Sequence, residues 1–268
     1  MKNLLIYINP SKTFNRGVSK NGNDLWENED EILVKIQIDN SLRLGWKRED
    51  IILVTNFKWE YNGVKSIVLH VNNFCKFSPT ASKINAIITL FEKGLIENEL
   101  YWFHDTDAFE LEKITEEEIG LENGMIGITD YGITRVNQNV NRRWSTGTIF
   151  FNNGSKEFFE WVRTAVYKYR RNEEIALLAL TRHNKYHIKD KMKKINITYN
   201  MATRKRDILK TYEIANKPLK VLHFHPFDKR AVDLGNDNIG VCIYGKNRIN
   251  KVLVPQGLID IFKKYEIE

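Results

Sequence analysis

With 42% hydrophobic and 28% charged residues over 268 positions, the chain has the balance of an ordinary globular protein that buries one large core. A formal net charge of +7 and a pI near 9.2 admit an anionic partner such as nucleic acid, a lipid surface or nucleotide phosphates. Cys75 and Cys242 stand far apart without metal-type spacing, which argues against a thiolate site and for reduced thiols. No apolar run reaches the length of a signal peptide or membrane span, so a soluble, cytoplasmic protein is expected.

An apolar run at 4–8 stopped by Asn9 and Pro10 predicts a first, central strand. Residues 11–28 carry Gly, Asn, Ser and Lys with weak periodicity and predict a long loop. The mostly helical spacing of Ile32, Leu33, Ile36, Ile38 and Leu42 predicts a helix over 29–44, with Gly45 as its stop. Strands are predicted at 51–54 and 64–71, and a helix at 82–95 from Ile84, Ile87, Ile88, Leu90 and Phe91. The first ~110 residues thus alternate strand and helix, the pattern of an open parallel sheet whose strand ends bind nucleotides. Neither a Gly-x-Gly-x-x-Gly nor a phosphate-loop signature is present.

The aromatic run at 100–103 has the bulk of a buried strand and ends in two carboxylates, Asp105 and Asp107, one residue apart. Such a pair at a strand's carboxyl end suits a hard divalent cation that also ligates phosphates. The competing reading is a solvated turn.

Further on, 114–121 reads as an acidic loop or short helix, and 125–129 and 148–151 as strands parted by a polar segment. Helices are predicted at 156–170 and 175–180, the second opened by Asn172, Glu173 and Glu174, whose plain role is capping. The aromatic stripe of the first, with Phe158, Phe159 and Trp161, reads as core. A late strand at 221–226 carries His223 and His225, and a terminal helix spans 258–265. With no linker or repeat, the chain reads as one domain, 1–268.

Taken in order, Trp102-Phe-His-Asp-Thr-Asp-Ala-Phe109, Arg143-Trp-Ser-Thr-Gly-Thr-Ile-Phe-Phe151, Asn172-Glu-Glu-Ile-Ala-Leu177 and His223-Phe-His-Pro226 resemble the GT-A-fold glycosyltransferases. The resemblance implies an α/β fold, a mostly parallel central sheet flanked by helices with Asp-x-Asp at a strand end. Residues 1–110 would form the nucleotide-binding half and 111–268 the sugar and acceptor half. It implies that Asp105 and Asp107 hold Mn²⁺ or Mg²⁺ and, through it, the diphosphate of a nucleotide-sugar donor, a UDP-sugar foremost. His223 or His225 would complete the metal site; alternation puts both on one strand face and leaves the choice open. Trp144, Ser145, Thr146 and Gly147 would line the sugar pocket, with Gly147 admitting close backbone approach. Glu173 or Glu174 would face the acceptor and, in an inverting transfer, take the proton of the incoming hydroxyl. Tyr7, Asn9, Thr55 and Asn56, by their place at strand ends, would face the nucleoside, and Lys246 could touch phosphate, although a plain surface lysine is the commoner reading of that position.

The chain lacks the Pro-x-Tyr-Asn start and membrane helices of the large processive members. Leu44-Gly-Trp46, Val54-Thr-Asn-Phe57 and Tyr61-Asn-Gly-Val64 look like small stand-alone viral, phage-type transferases, some of which resemble enzymes that glycosylate hydroxymethylated pyrimidines in DNA. Such a protein would work in the host cytoplasm. Double-stranded DNA as acceptor suits the basic charge, with Arg142, Arg143 and the Arg204-Lys205-Arg206 cluster as candidate contacts. Three rivals remain: a transferase that builds a surface glycan or lipid-linked saccharide, a metal-dependent phosphoesterase or nuclease using the same aspartates, and a non-enzymatic DNA-binding module. Phosphoesterases and nucleases need further ligands nearby, and His104 should point away from Asp105 along an extended strand.

Overall fold

The computed structural model describes residues 1–9, 25–130, 144–202, 208–224, 241–243, 247–249 and 254–267; at 25–28, 208–210, 241–243 and 247–249 the backbone alone is described. Strands β1 (Lys2–Tyr7), β2 (Ile51–Thr55), β3 (Glu60–Tyr61), β4 (Val64–Val68), β5 (Tyr101–His104), β7 (Ile126–Asp130), β8 (Trp144–Phe151) and β9 (Met192–Lys194) form one sheet in the order β3-β4-β2-β1-β5-β8-β7-β9. The run β4-β2-β1-β5 is parallel, as the alternation of strand and helix predicts. Beyond β5 the direction changes: β8 is antiparallel to β5 and β7, and β9 is parallel to β7.

Side-chain alternation along each central strand feeds two cores. Leu4, Tyr101, Phe103 and Phe151 point to one face, where they meet Ile84 and Ile87 of α2 (Ser82–Glu92), Phe159 and Val162 of α4 (Lys156–Tyr169) and Leu177 of α5 (Glu173–Arg182). Leu5, Trp102 and Phe150 point to the other face, against Val34 and Ile38 of α1 (Leu25–Arg43). The α4 aromatics Phe158 and Phe159 are core, as their spacing predicts, and Trp161 packs partly buried beside them.

A second, three-stranded sheet joins β6 (Ala108–Glu110), β10 (Met201–Ala202) and β11 (Val221–His223), with β11 antiparallel to β6 in the register Leu222↔Phe109. Its apolar side carries Phe109, Leu222 and Phe224 and packs on Phe262 of α7 (Gln256–Lys264), with Phe109 and Phe262 edge-to-face at 5.1 Å. Each such buried ring contributes about 1.5–3 kcal/mol. The remaining elements are α3 (Glu116–Ile119), α6 (Ile208–Ile214) and the hairpin of β12 (Val241–Ile243) and β13 (Asn247–Ile249). Among the described residues no helix is long and apolar enough to cross a membrane.

Several boundaries differ from expectation. Helix α1 starts at Leu25 inside the predicted loop, and the rest of that loop lies outside the described residues. Strand β4 ends at Val68, because residues 71–73 turn as a 3-10 helix capped by His70, whose Nδ1 accepts from Asn72 N at 3.3 Å. Strand β8 begins at Trp144, four residues earlier than predicted, after a register shift against β7 between Ile128 and Thr129. The strand predicted at 221–226 stops at His223 and joins the small sheet, not the central one.

Candidate active site

Strand β5 delivers Asp105 and Asp107 into a tight turn, Ala108 N donating to Asp105 O at 3.0 Å, before β6 begins. Two amides of α1 hold that turn. Gln37 Nε2 donates to Thr106 O at 2.8 Å and to Ala108 O at 3.1 Å, and Asn40 Nδ2 donates to Glu110 O at 2.8 Å. Because β11 pairs with β6, it brings His223 over the turn, and His223 Nε2 lies 2.9 Å from Asp107 Oδ1. Asp105, Asp107 and His223 each offer a ligand atom within 4.8 Å of the others. His225, Lys246, Arg142, Arg143 and Arg204 to Arg206 lie outside the described residues.

The donor set fits a divalent cation. It combines two carboxylates with an imidazole, and the imidazole is oriented from behind. Asn200 Nδ2 donates to Ser145 Oγ at 2.8 Å and to Thr129 Oγ1 at 3.3 Å, which turns Asn200 Oδ1 toward His223 Nδ1 at 3.0 Å. A proton on Nδ1 satisfies that oxygen and makes Nε2 the nitrogen that faces the aspartates, where it donates to Asp107 as the imidazolium and, once deprotonated, could ligate a cation, the outer-shell arrangement of metal-binding histidines. Burial opposes the His223 imidazolium, but the Asp107 and Asp105 carboxylates outweigh it and raise its pKa. Gly147 makes room for the ring: a β-carbon there would lie 2.4 Å from His223 Cε1. The close approach expected of Gly147 is thus filled by His223.

Lys83, which the sequence reading passed over, reaches the same point from the first turn of α2. Its Nζ sits 2.6 Å from Asp105 Oδ1, 3.4 Å from Glu173 Oε1 and 3.3 Å from Thr146 O. Burial disfavours the ammonium, yet Asp105 and Glu173 hold its pKa above the ordinary lysine value. Burial pushes the Asp105 carboxyl up, Lys83 pulls it down and Asp107 adds to the rise. One signal was visible: Lys83 precedes Ile87 by four and Leu90 by seven residues, which places it on the buried stripe of the helix. Asp30 of α1 also senses Asp107; burial, then Glu29 and Asp107, raise its carboxyl to about 6.

The two glutamates of α5 have different surroundings. Asn172 caps the helix, accepting from Ile175 N at 3.0 Å, so neither glutamate is needed as the cap. Glu173 is 2% exposed; its Oε1 accepts from Thr146 Oγ1 at 2.9 Å and its Oε2 has no hydrogen-bond partner. Glu174 is half-buried, its Oε1 accepting from Thr146 N at 3.2 Å. Ser145 and Thr146 are buried in β8, and Trp144 Nε1 donates to Thr181 Oγ1 at 3.2 Å.

The residues expected at the nucleoside do gather at the ends of β1 and β2. Asn9 and Asn56 exchange two hydrogen bonds, Asn9 N to Asn56 Oδ1 at 2.9 Å and Asn56 Nδ2 to Asn9 O at 3.0 Å. Tyr7 is buried edge-on to Phe57 at 5.2 Å, and the fully buried Thr55 donates its hydroxyl to Phe57 O. His104 turns away from the aspartates, as extended-strand alternation requires, its Nε2 2.9 Å from Asn3 Oδ1 and its Nδ1 3.0 Å from Ala108 O.

No family model and no curated protein matches the sequence. Solved structures match the fold. A galactosyltransferase, LgtC, crystallised with donor and acceptor sugar analogues, aligns with a TM-score of 0.52 at 12% identity, over 85% of this chain and 90% of its own. The glycosyltransferase GlyE of Streptococcus pneumoniae TIGR4 gives 0.52 at 11% identity, over 100% of this chain and 65% of its own. The chain therefore has the α/β fold of the GT-A glycosyltransferases, with its Asp-x-Asp in a potential metal site.

Proposed function

We propose that the chain is a divalent-metal-dependent glycosyltransferase that moves a sugar from a nucleotide-sugar donor to a hydroxyl acceptor. The observation that carries this reading is the convergence of Asp105, Asp107 and His223 from two different sheets at the end of β5. Mn²⁺ or Mg²⁺ held by these residues would supply Lewis-acid stabilisation of the charge that develops on the departing diphosphate. Residues 1–110 would serve the nucleotide of a UDP-sugar, with Tyr7, Asn9, Thr55 and Asn56 shaping the strand ends around it. Residues 111–268 would serve sugar and acceptor, with Trp144 to Gly147 as the sugar-side wall.

Of the two glutamates, Glu174 is assigned to the acceptor. Its carboxylate is half-buried, whereas Glu173 is sealed between Lys83 and Thr146 and positions Lys83. In an inverting transfer Glu174 accepts the hydroxyl proton. A hydroxymethylated pyrimidine in duplex DNA is the acceptor assigned, on the +7 net charge that phosphate contacts would use.

The test is Mn²⁺-dependent donor hydrolysis over UDP-, GDP-, CMP- and dTDP-sugars, with and without hydroxymethylpyrimidine DNA. Hydrolysis accelerated by the DNA, with a matching mass gain on it, is the expected result. Hydrolysis indifferent to DNA would keep the transferase and replace the acceptor with a glycan. No Mn²⁺ binding at Asp105 and Asp107 would overturn the reading.

A further inference from the structure

The two glutamates at the start of α5 turn inward to Thr146, and this leaves the outer surface of the same stretch to its cations. Lys168, Arg170 and Arg171 close α4, and Arg182, Lys185 and Lys189 follow from the end of α5. All six are exposed, and none forms an ion pair with a carboxylate among the described residues. Lys2, Lys35, Lys156, Lys220 and Lys264 each have a carboxylate partner, whereas exposed lysines without one among the described residues also occur at Lys47, Lys58, Lys65, Lys76 and Lys93. Between 168 and 191 the one exposed acid is Asp190, 3.7 Å from His187.

The two groups of cations form one surface. Lys185 Nζ lies 3.5 Å from the Tyr169 hydroxyl, and Tyr186 stacks on Trp161 of α4 at 5.5 Å with 18° between the rings. Asn184, Tyr186 and His187 all take positive φ, at 44°, 58° and 55°. Left-handed backbone at three non-glycine positions is unfavourable and persists where surrounding contacts hold it. Here the buried Ile188 and the ring stack do so, and Tyr186 stays 53% exposed between Lys185 and Lys189. In sequence Arg171 stands two residues before Glu173, and the Arg170 guanidinium lies 4.3 Å over the Phe77 ring.

We propose that this surface, from Lys168 to Lys189, docks the phosphate backbone of DNA. Six exposed cations without carboxylate partners among the described residues match the phosphates of a duplex backbone. A lipid surface would call for several aliphatic or indole side chains able to insert, and on this stretch Ile175 is the one exposed aliphatic among the described large hydrophobics. The inference deepens the DNA-acceptor reading and rests on it for its function. It assigns the docking surface to α4, α5 and the turn after α5; Arg142, Arg143 and Arg204 to Arg206 lie outside the described residues.

The experiment is fluorescence anisotropy of the full chain with a labelled duplex of about 20 base pairs, from about 50 to about 200 mM salt. The variant K185E/K189E is compared with K58E/K65E, which makes the same charge change at exposed lysines near the opposite edge of the central sheet. The patch variant should bind about tenfold more weakly or worse, with the log–log salt slope flattened by about 2, and the control should change by less than about threefold. K185Q/K189Q, without reversed charge, should lie between them, and melting curves confirm that all are folded. Equal losses in both charge-reversal variants, or binding insensitive to salt, would overturn the proposal. So would patch-dependent binding to phosphatidylserine vesicles without binding to DNA. Donor hydrolysis without DNA is followed in parallel. Hydrolysis retained with no DNA binding sinks both the surface and the DNA acceptor and leaves the transferase; DNA binding that the patch variant does not weaken sinks the surface alone; patch-dependent binding without transfer to hydroxymethylated DNA sinks the acceptor reading alone.

Discussion

The imidazole of His223 fills the space that a side chain on Gly147 would need. A β-carbon at position 147 would come 2.4 Å from His223 Cε1, 2.7 Å from Nδ1 and 3.4 Å from Asp105 Oδ2. Asp105 therefore turns Oδ1 to Lys83 and keeps Oδ2 on the histidine side. The glycine is a packing requirement of the Asp105, Asp107 and His223 arrangement.

Gly147→Ala is accordingly expected to push His223 off Asp107 while the sheet survives. Mn²⁺ affinity should fall by about 10–100-fold, the cost of disturbing ligand orientation. Electron paramagnetic resonance titration of free Mn²⁺ measures it. Asn200→Ala, which removes the acceptor behind Nδ1, should move affinity in the same direction. Unchanged affinity in both variants would mean that His223 is no ligand.

Lys83 is the cation between two carboxylates, Asp105 and the 2%-exposed Glu173. Lys83→Met leaves both acids without it, and truncating one side of a buried ion cluster costs about 3 kcal/mol or more. Urea unfolding should show that loss without metal, and saturating Mn²⁺ should recover part of it by neutralising Asp105. A variant as stable as the parent would remove Lys83 from its bridging role.

The chemistry-bearing residue types were legible in the chain; their long-range partners were not. Asp105 and Asp107 follow an aromatic strand, and two carboxylates at such an end suggest a cation before any contact is known. His223 could be named, but its place beside Asp107 was hidden because it comes from pairing of β11 with β6, more than 100 residues away in sequence. Asn200 gave no local signal, since its role exists only once Ser145, Thr129 and His223 are assembled around it. The early start of β8 was hidden for a related reason. Ser145 and Thr146 read as polar loop, yet they are buried because Asn200 and the α5 glutamates satisfy them. The parallel half of the sheet was readable from local alternation, while the reversal beyond β5 carries no local marker.

Asp107→Asn keeps size and one oxygen but removes the charge that draws both His223 and a cation. Metal-dependent donor turnover should fall by at least about a hundredfold, with the melting temperature little changed because Asp107 lies at a partly exposed turn. Measuring turnover at several Mn²⁺ concentrations separates lost affinity from lost chemistry. Parent-level turnover at low Mn²⁺ would remove the cluster from the mechanism.

His104 supplies a test of the scaffold that is independent of turnover. It is 1% exposed, stacked on Trp102 at 4.0 Å, and hydrogen-bonded to Asn3 and Ala108. Burial lowers its pKa from 6.5 to about 4, against the opposing pull of the Asp105 and Ala108 carbonyls. Between those values the unfolded chain binds the proton and the folded one does not, so stability rises with pH across that window. This contribution is complete above about pH 6.5 and is lost progressively as pH falls toward 4, amounting to about 3 kcal/mol. His104→Gln should lower stability at pH 7, where the ring and its bonds are lost. It should also flatten the pH dependence of urea unfolding between pH 4 and 6.5 relative to the parent. An equally steep dependence in the variant would assign the acid sensitivity to other groups, Asp30 and the aspartate pair among them.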